Sequence, residues 1–293
     1  MRRVGIVGCS NGQPESQRTK LSRLECVLRS AGFEPVWSRC IYSGPDGLHS
    51  GTPRERAQAL MELYRDASIE TIFDISGGDL ANEILPWLDF ERIASSGKRL
   101  WGYSDLTCVL NAVYARTGVA SVLYQVRNLI REEGERQMQD FCDAMAGGDQ
   151  LFHIPCRFYQ GDFMEGVVLG GNIRCLLKLA GTPYWPDLSG KILFFEALSG
   201  DMARITAHIA QLEQLGAFRN AAGVLLGTFT ELESQTGRTD AAVHLMQNTG
   251  LQIPLAATRR VGHGPDSKAV WIGGRMTVDG RGGEPFACSY IDG

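Results

Sequence analysis

The first half of the chain alternates short apolar runs with longer amphipathic segments, and this alternation restricts the fold more than any other feature. Residues 4–7 read as a strand, 16–31 as a helix ending at Gly32, and Phe33–Trp37 as a second strand. A loop over 42–52, rich in Gly, Pro and Ser, leads to a helix opening at Pro53 and running to about Ala67, with Glu55 in its first turn. Residues 70–75 form the next strand, which breaks on Ser76-Gly77-Gly78 before a helix over 80–85. A further strand covers 99–103. Successive parallel strands need crossovers of a dozen or so residues, usually helical. The rhythm therefore predicts a parallel sheet with helices on its faces, in the manner of Rossmann or flavodoxin-like domains.

The rhythm fails between about 147 and 165, where Gly147-Gly148, Pro155 and Gly161 fall close together. This stretch predicts a crossover linker over 149–165, with an α/β domain over 1–148 and a second, β-rich α/β domain over 166–293. In the second half, a helix is expected over 172–180, a strand over 191–196, a long helix over 202–215 and a strand over 223–226. Two more strands follow at 271–273 and 276–278, then turn chemistry in Asp279-Gly280-Arg281-Gly282-Gly283.

Composition narrows the function classes. A chain of 293 residues with 44% hydrophobic and 21% charged residues can bury a large core. Its formal charge of -4 leaves no basic surface for nucleic acid or an anionic membrane. No apolar stretch approaches the ~18 to 20 residues of a bilayer span, and the run before Cys9 is too short for a signal segment. A cytoplasmic location is expected. The eight cysteines contain no C-x-x-C pair, so neither a metal cluster nor a redox motif is expected, and most should be buried thiols. The loop Gly5-Ile-Val-Gly8-Cys-Ser-Asn-Gly12 follows a strand but lacks the G-x-G-x-x-G spacing and a downstream ribose-binding acid. It reads as a tight turn at the mouth of the sheet, and no cofactor is expected.

Ser104 lies where the strand 99–103 meets a helix marked by Leu106, Val109, Leu110 and Val113. A serine at such a corner has an open hydroxyl beside the positive end of a helix dipole, where an oxyanion can be stabilised. The alternative is an ordinary helix cap supplied by Ser104 or Asp105. Gly77-Gly78 also follows a strand, at the same carboxyl edge, where ligands bind in open α/β sheets; a plain strand-to-helix turn explains it equally well. A nucleophilic serine needs a base and a group to orient that base. Among the five histidines, His208 falls in a helical pattern, His153 and His244 in helix or edge positions, and His49 in a polar loop. His263 stands between Gly262 and Gly264, free to reach across a cleft or simply to sit in a surface turn. Glu196 ends the apolar run Ile192-Leu193-Phe194-Phe195, where a carboxylate needs a partner unless it faces outward at an edge.

Taken together, these segments resemble the LD-carboxypeptidase family of serine peptidases, which also contains microcin C self-immunity proteins. The resemblance runs in order through Ser76-Gly77-Gly78-Asp79, the run Asn82 to Asp89, Gly102 to Thr107, Gly170-Gly171-Asn172 with Gly181-Thr182-Pro183, Gly190 to Glu196, and Gly262-His263-Gly264. It implies a triad of Ser104, Glu196 and His263. It also implies an oxyanion hole from the backbone N–H groups of Gly78 and Asp105, and substrate contacts near Gly77 and Asp79. The implied fold is an N-terminal parallel α/β domain joined to a C-terminal swivelling-type domain, with no metal and a homodimeric assembly. The implied reaction is amide cleavage in a murein tetrapeptide or a microcin-type peptidyl-nucleotide; a non-catalytic binding protein on the same fold is the alternative. An ordinary α/β-hydrolase is disfavoured because Ser104 lacks the G-x-S-x-G frame. Two features depart from the family pattern. Ala197 follows Glu196 where an acid is usual, and the 121–128 loop lacks the usual Gly-Pro.

Overall fold

Strongly apolar, β-branched strands separated by amphipathic helices give the N-terminal half its layers. In the computed structural model, which describes residues 1–282 and 286–290, β1 (Arg2–Val7) lies inside a sheet with β2 (Phe33–Trp37), β3 (Ile69–Asp74), β4 (Arg99–Gly102) and β5 (Ser121–Leu123). These five strands are parallel, in the order β5-β4-β3-β1-β2. Helices α1 (Arg18–Ser30), α2 (Pro53–Arg65), α3 (Phe90–Ser95), α4 (Thr107–Thr117) and α5 (Gly134–Met145) make the crossovers and flanks. Thr52 and Glu55 form a reciprocal capping box at the start of α2. The helix expected over 80–85 is instead a 3-10 helix, Ala81–Trp87, with Pro86 inside it. Proline supplies no N–H and disfavours continued α-helix before it.

The second half builds a larger mixed sheet. Its strands are β6 (His153–Pro155), β7 (Arg157–Gln160), β8 (Phe163–Asn172), β9 (Lys191–Ala197), β10 (Gly223–Phe229) and β11 (Leu255–Ala257), followed by β13 (Arg275–Asp279) and β14 (Phe286–Tyr290) after β12 (Val270–Ile272). Helices α6 (Ile173–Leu177), α7 (Met202–Gln214), α8 (Thr230–Thr236) and α9 (Ala241–Gln247) accompany them. The order is β6-β14-β13-β8-β9-β10-β11-β7, with β8 to β11 mutually parallel and the outer strands antiparallel. The stretch 149–165 thus carries β6, β7 and the start of β8. The strand β12 leaves the second half altogether and pairs antiparallel with β5 on the edge of the first sheet. Gly283 of the expected turn and the side chain of Cys288 lie outside the described residues. Among the described residues, no helix is long and apolar enough to cross a membrane.

The two sheets meet through α4 and the end of β8. The buried Asn111 amide donates to Gly170 O at 2.8 Å, while its Oδ1 accepts from Gly170 N at 2.9 Å. The Asn172 N–H donates to Thr107 Oγ1 at 2.9 Å. This approach demands glycine: a Cβ on Gly171, which has φ +127°, would stand 2.6 Å from Thr107 Oγ1. The Gly170-Gly171-Asn172 motif is therefore a seam between the halves, bringing the carboxyl ends of β4, β8, β9 and β10 into one region.

Candidate active site

Ser104 follows β4 through Tyr103 and opens a 3-10 helix, Ser104–Leu106, that runs into α4. Its φ is +56°, the single positive value at a non-glycine among the described residues. Such a conformation costs roughly 1–3 kcal/mol and persists only where the surroundings enforce it. Neither the Ser104 nor the Asp105 side chain caps the helix: the cap positions are Tyr103 and Leu106, without side-chain bonds. The capping alternative is thereby removed.

Asp105 has another occupation. Fully buried, its carboxylate accepts from Ser10 Oγ at 2.6 Å and from the Ala81 N–H at 2.8 Å, and it pairs with Lys178. Two loops at the carboxyl edge of the first sheet and a lysine of the second half therefore converge on the residue after Ser104. Neighbouring Asp74, at the end of β3, accepts from the N–H of Cys9 and of Ser76, each at 2.7 Å, and from Ser76 Oγ at 2.6 Å. Burial pushes its carboxyl above the ordinary range, against the pull of those bonds. Arg56, also fully buried, donates to Cys9 O at 2.6 Å and Leu80 O at 3.1 Å and pairs with Glu83. A motif residue without an assigned task, Glu83, thus anchors the guanidinium that ties two of these loops.

Gly78 adopts φ +127° with Asn11 packed directly over it, where a Cβ would stand 2.2 Å from Asn11 Cγ. Asn11 Oδ1 accepts the Asp79 N–H at 2.9 Å. From the second half, Arg174 donates to Gly78 O at 3.1 Å and pairs with Asp79, and Lys178 donates to Asp79 O at 2.7 Å. With both carbonyls held from behind, the loop's orientation is set. Among the described residues, the N–H groups of Gly78 and Asp105 have no acceptor within the protein.

Glu196 sits near the end of β9, fully buried, and its Oε2 lies 2.7 Å from His263 Nδ1. The two atoms are in close contact but are not aligned as a hydrogen bond. Its other oxygen accepts from Asn172 Nδ2 at 3.2 Å. The His263 loop is drawn onto the end of β10, where Thr228 N–H donates to Val261 O at 2.9 Å. The Tyr103 ring packs edge-on against the His263 imidazole, with centroids 5.0 Å apart, bringing the residue before Ser104 against the histidine. Burial, and then the Glu196 charge, push the Tyr103 phenol well above its ordinary value, so it stays neutral. His263 Nε2 is buried without a hydrogen-bond partner.

The other histidines are placed elsewhere. His49 pairs with Asp46 and His244 with Asp240, both on the surface, while His208 lies on α7 with its pKa lowered by burial. Among the described residues, no three metal-ligating side chains converge. Residues that sequence reasoning did not assign a task, Tyr103, Asn11, Asn172, Arg174 and Lys178, complete the surroundings. Asn172 carried a signal as the end of a Gly-Gly-Asn run. Lys178 carried none, because a lysine near a helix end ordinarily faces solvent.

The chain thus carries a strained serine at the end of β4 and, from its second half, a buried glutamate against a histidine; no hydrogen bond joins Ser104 to His263, whose ring nitrogens both lack a hydrogen-bond partner among the described residues. Residues 4–124 match the LD-carboxypeptidase N-terminal domain and residues 165–278 the LD-carboxypeptidase C-terminal domain, so the chain belongs to the LD-carboxypeptidase family. It is 26% identical to the microcin C7 self-immunity protein MccF of Escherichia coli, over 94% of this chain and 90% of that protein. It is 27% identical to the murein tetrapeptide carboxypeptidase of Pseudomonas aeruginosa, over 78% of each. Among solved structures, MccF in complex with aspartyl sulfamoyl adenosine superposes with a TM-score of 0.87 at 22% identity, covering 99% of this chain and 97% of that one. The muramoyltetrapeptide carboxypeptidase of Oxalobacter formigenes gives 0.84 at 24% identity, covering 99% of both chains. The two-domain fold expected from sequence is the one observed.

Proposed function

We propose that this protein is a serine hydrolase that cleaves an amide bond in a murein tetrapeptide or in a peptidyl-nucleotide of the microcin type. The observation that carries the reading is the pairing of an enforced positive φ at Ser104 with a buried carboxylate 2.7 Å from His263 Nδ1. In this reading Ser104 Oγ attacks the carbonyl carbon while His263 Nε2 takes its proton. Glu196 holds the imidazole through Nδ1 and stabilises the imidazolium. The N–H groups of Gly78 and Asp105 receive the oxyanion, and Gly77 and Asp79 border the substrate. His263 then returns the proton to the leaving amine, and water repeats the sequence on the acyl-enzyme.

The proposed division into domains at 1–148 and 166–293 sets nucleophile and base on different halves, so the seam at Gly170–Asn172 also governs their registration. A homodimer acting in the cytoplasm is part of the proposal. Incubation with murein tetrapeptide and with an aspartyl-nucleotide amide tests it. Release of D-alanine or aspartate is expected from wild type, reduced by about 10³-fold or more in Ser104→Ala. Binding of both compounds without turnover, and no labelling by a serine-directed phosphonate, would overturn the enzyme in favour of a binding protein.

A further inference from the structure

Two grooves open beside the site along α1 and the segment after β5, and neither is lined by Ser104 or His263. The first, of about 840 Å³, is balanced in charge: Arg23, Arg131 and Arg136 face Glu132, Glu133 and Glu135. The second, of about 710 Å³, is not. Lys20, Arg23, Arg127 and Arg131 line it against a single acid, Glu132, with Gln125 among them. Its size suits a small-molecule ligand.

The state of those cations separates them from others near the site. Arg56, Arg174 and Lys178 all end on carboxylates. Among the described residues, Lys20, Arg23, Arg127 and Arg131 form no ion pair. The donors of the two arginines after β5, Arg127 half-buried and Arg131 exposed, end on neutral oxygens instead: Arg127 on Gln13 Oε1 at 2.9 Å, Arg131 on Asn128 Oδ1 at 3.3 Å and on His263 O at 3.0 Å. Arg127 is half-buried, and burial lowers its pKa against the attraction of the Asp74 carboxylate, with which it makes no direct ion pair. Holding such a guanidinium by neutral acceptors fixes its direction while leaving the charge free for a ligand. The hydrogen bond from Arg131 to His263 joins this groove to the base of the proposed triad. The segment that supplies Gln125 and Arg127 is the one that departs from the family pattern.

We propose that this groove is an anion subsite, in which Arg127 and Arg131 bind phosphoryl or carboxylate oxygens at the part of the substrate distal to the scissile amide, assisted by Lys20 and Arg23. The proposal rests on the hydrolase reading above for its link to turnover, but anion binding can be measured without it. Inorganic pyrophosphate and citrate serve as probes, titrated calorimetrically into wild type and variants. Lys20→Glu/Arg23→Glu and, separately, Arg131→Gln are expected to weaken binding by at least about tenfold, as for loss of a charge-assisted hydrogen bond. Arg65→Glu/Arg219→Glu, which reverses two exposed charges outside this groove, should leave it unchanged. Lys20 and Arg23 are exposed, so the first variant retains the fold, which melting curves check.

Preference for pyrophosphate points to a phosphoryl-bearing substrate and preference for citrate to a polycarboxylate; either supports the subsite. No binding by wild type, or equal weakening in the control, overturns it. In turnover assays Lys20→Glu/Arg23→Glu should raise KM for a distally anionic substrate with kcat retained. Hydrolysis by wild type with KM unmoved in Lys20→Glu/Arg23→Glu sinks the subsite and leaves the hydrolase standing. Anion binding in the groove by a protein that cleaves neither substrate sinks the hydrolase and leaves the subsite standing.

Discussion

The two sides of the site are built on opposite principles. On the Ser104 side almost every polar group is committed: Asp105 has three partners, Asp74 three donors, Arg56 four carbonyls and Glu83, and the 77–79 loop is gripped from both domains. On the His263 side the contacts are few, and both imidazole nitrogens lack an aligned hydrogen bond. A strained backbone survives only where packing over-determines it, whereas a group that exchanges protons needs a face left unclaimed. The turn at Ser104 is therefore held by a closely bonded network, whereas the His263 imidazole keeps both nitrogens without an aligned hydrogen bond.

Substitutions on each side should break this contrast in different ways. The largest effect is expected from Glu196→Gln, which keeps the shape but loses the charge that holds His263. Activity should fall by about 10⁴-fold, as for comparable triads, with melting temperature little changed. Steady-state kinetics beside thermal unfolding decides this, and a loss of fold with activity would mean that the carboxylate is structural. Next comes Asp105→Ala, which strands Lys178 and frees Ser10 and the Ala81 N–H. Destabilisation of about 3–5 kcal/mol is expected from breaking a buried pair, read by urea unfolding. A loss below about 1 kcal/mol would show that the network does not enforce the Ser104 turn. The smallest effect is a gain: Ser104→Gly relieves the positive φ and should stabilise by about 1 kcal/mol while abolishing turnover. A destabilised Ser104→Gly protein would mean that the serine side chain contributes more to the fold than its strain costs.

The legibility of the sequence followed the same division. Strands β1 to β4 are readable because apolar runs and glycine breaks are local signals; β2 matches its expected bounds, β4 ends one residue early, β3 is shifted by one residue at both ends, and β1 starts two residues early. Ser104 was conspicuous for its corner position, and Glu196 for being an acid closing a buried apolar run. Less local features were illegible. The pairing of β12 with the first sheet joins Val270–Ile272 to Ser121–Leu123, residues some 150 apart in sequence, and no periodicity encodes that choice. Asp105 was read as a backbone donor or a cap, whereas its side chain is a buried hub, because nothing in Ser-Asp-Leu announces a lysine 73 residues away.

By itself, then, the sequence determined the layered α/β plan, the strand ends available for chemistry, and the family to which those ends belong. The tertiary structure alone decided which polar side chains are satisfied and which are left open. That outcome depends on burial, and burial is a property of the packed whole: a carboxylate or guanidinium acquires its energetic meaning only when water is removed around it. Asp105 and Lys178 are spent on each other and on the turn at Ser104, while Arg127, like any surface arginine in sequence, is half-buried with its donor on the neutral Gln13 Oε1.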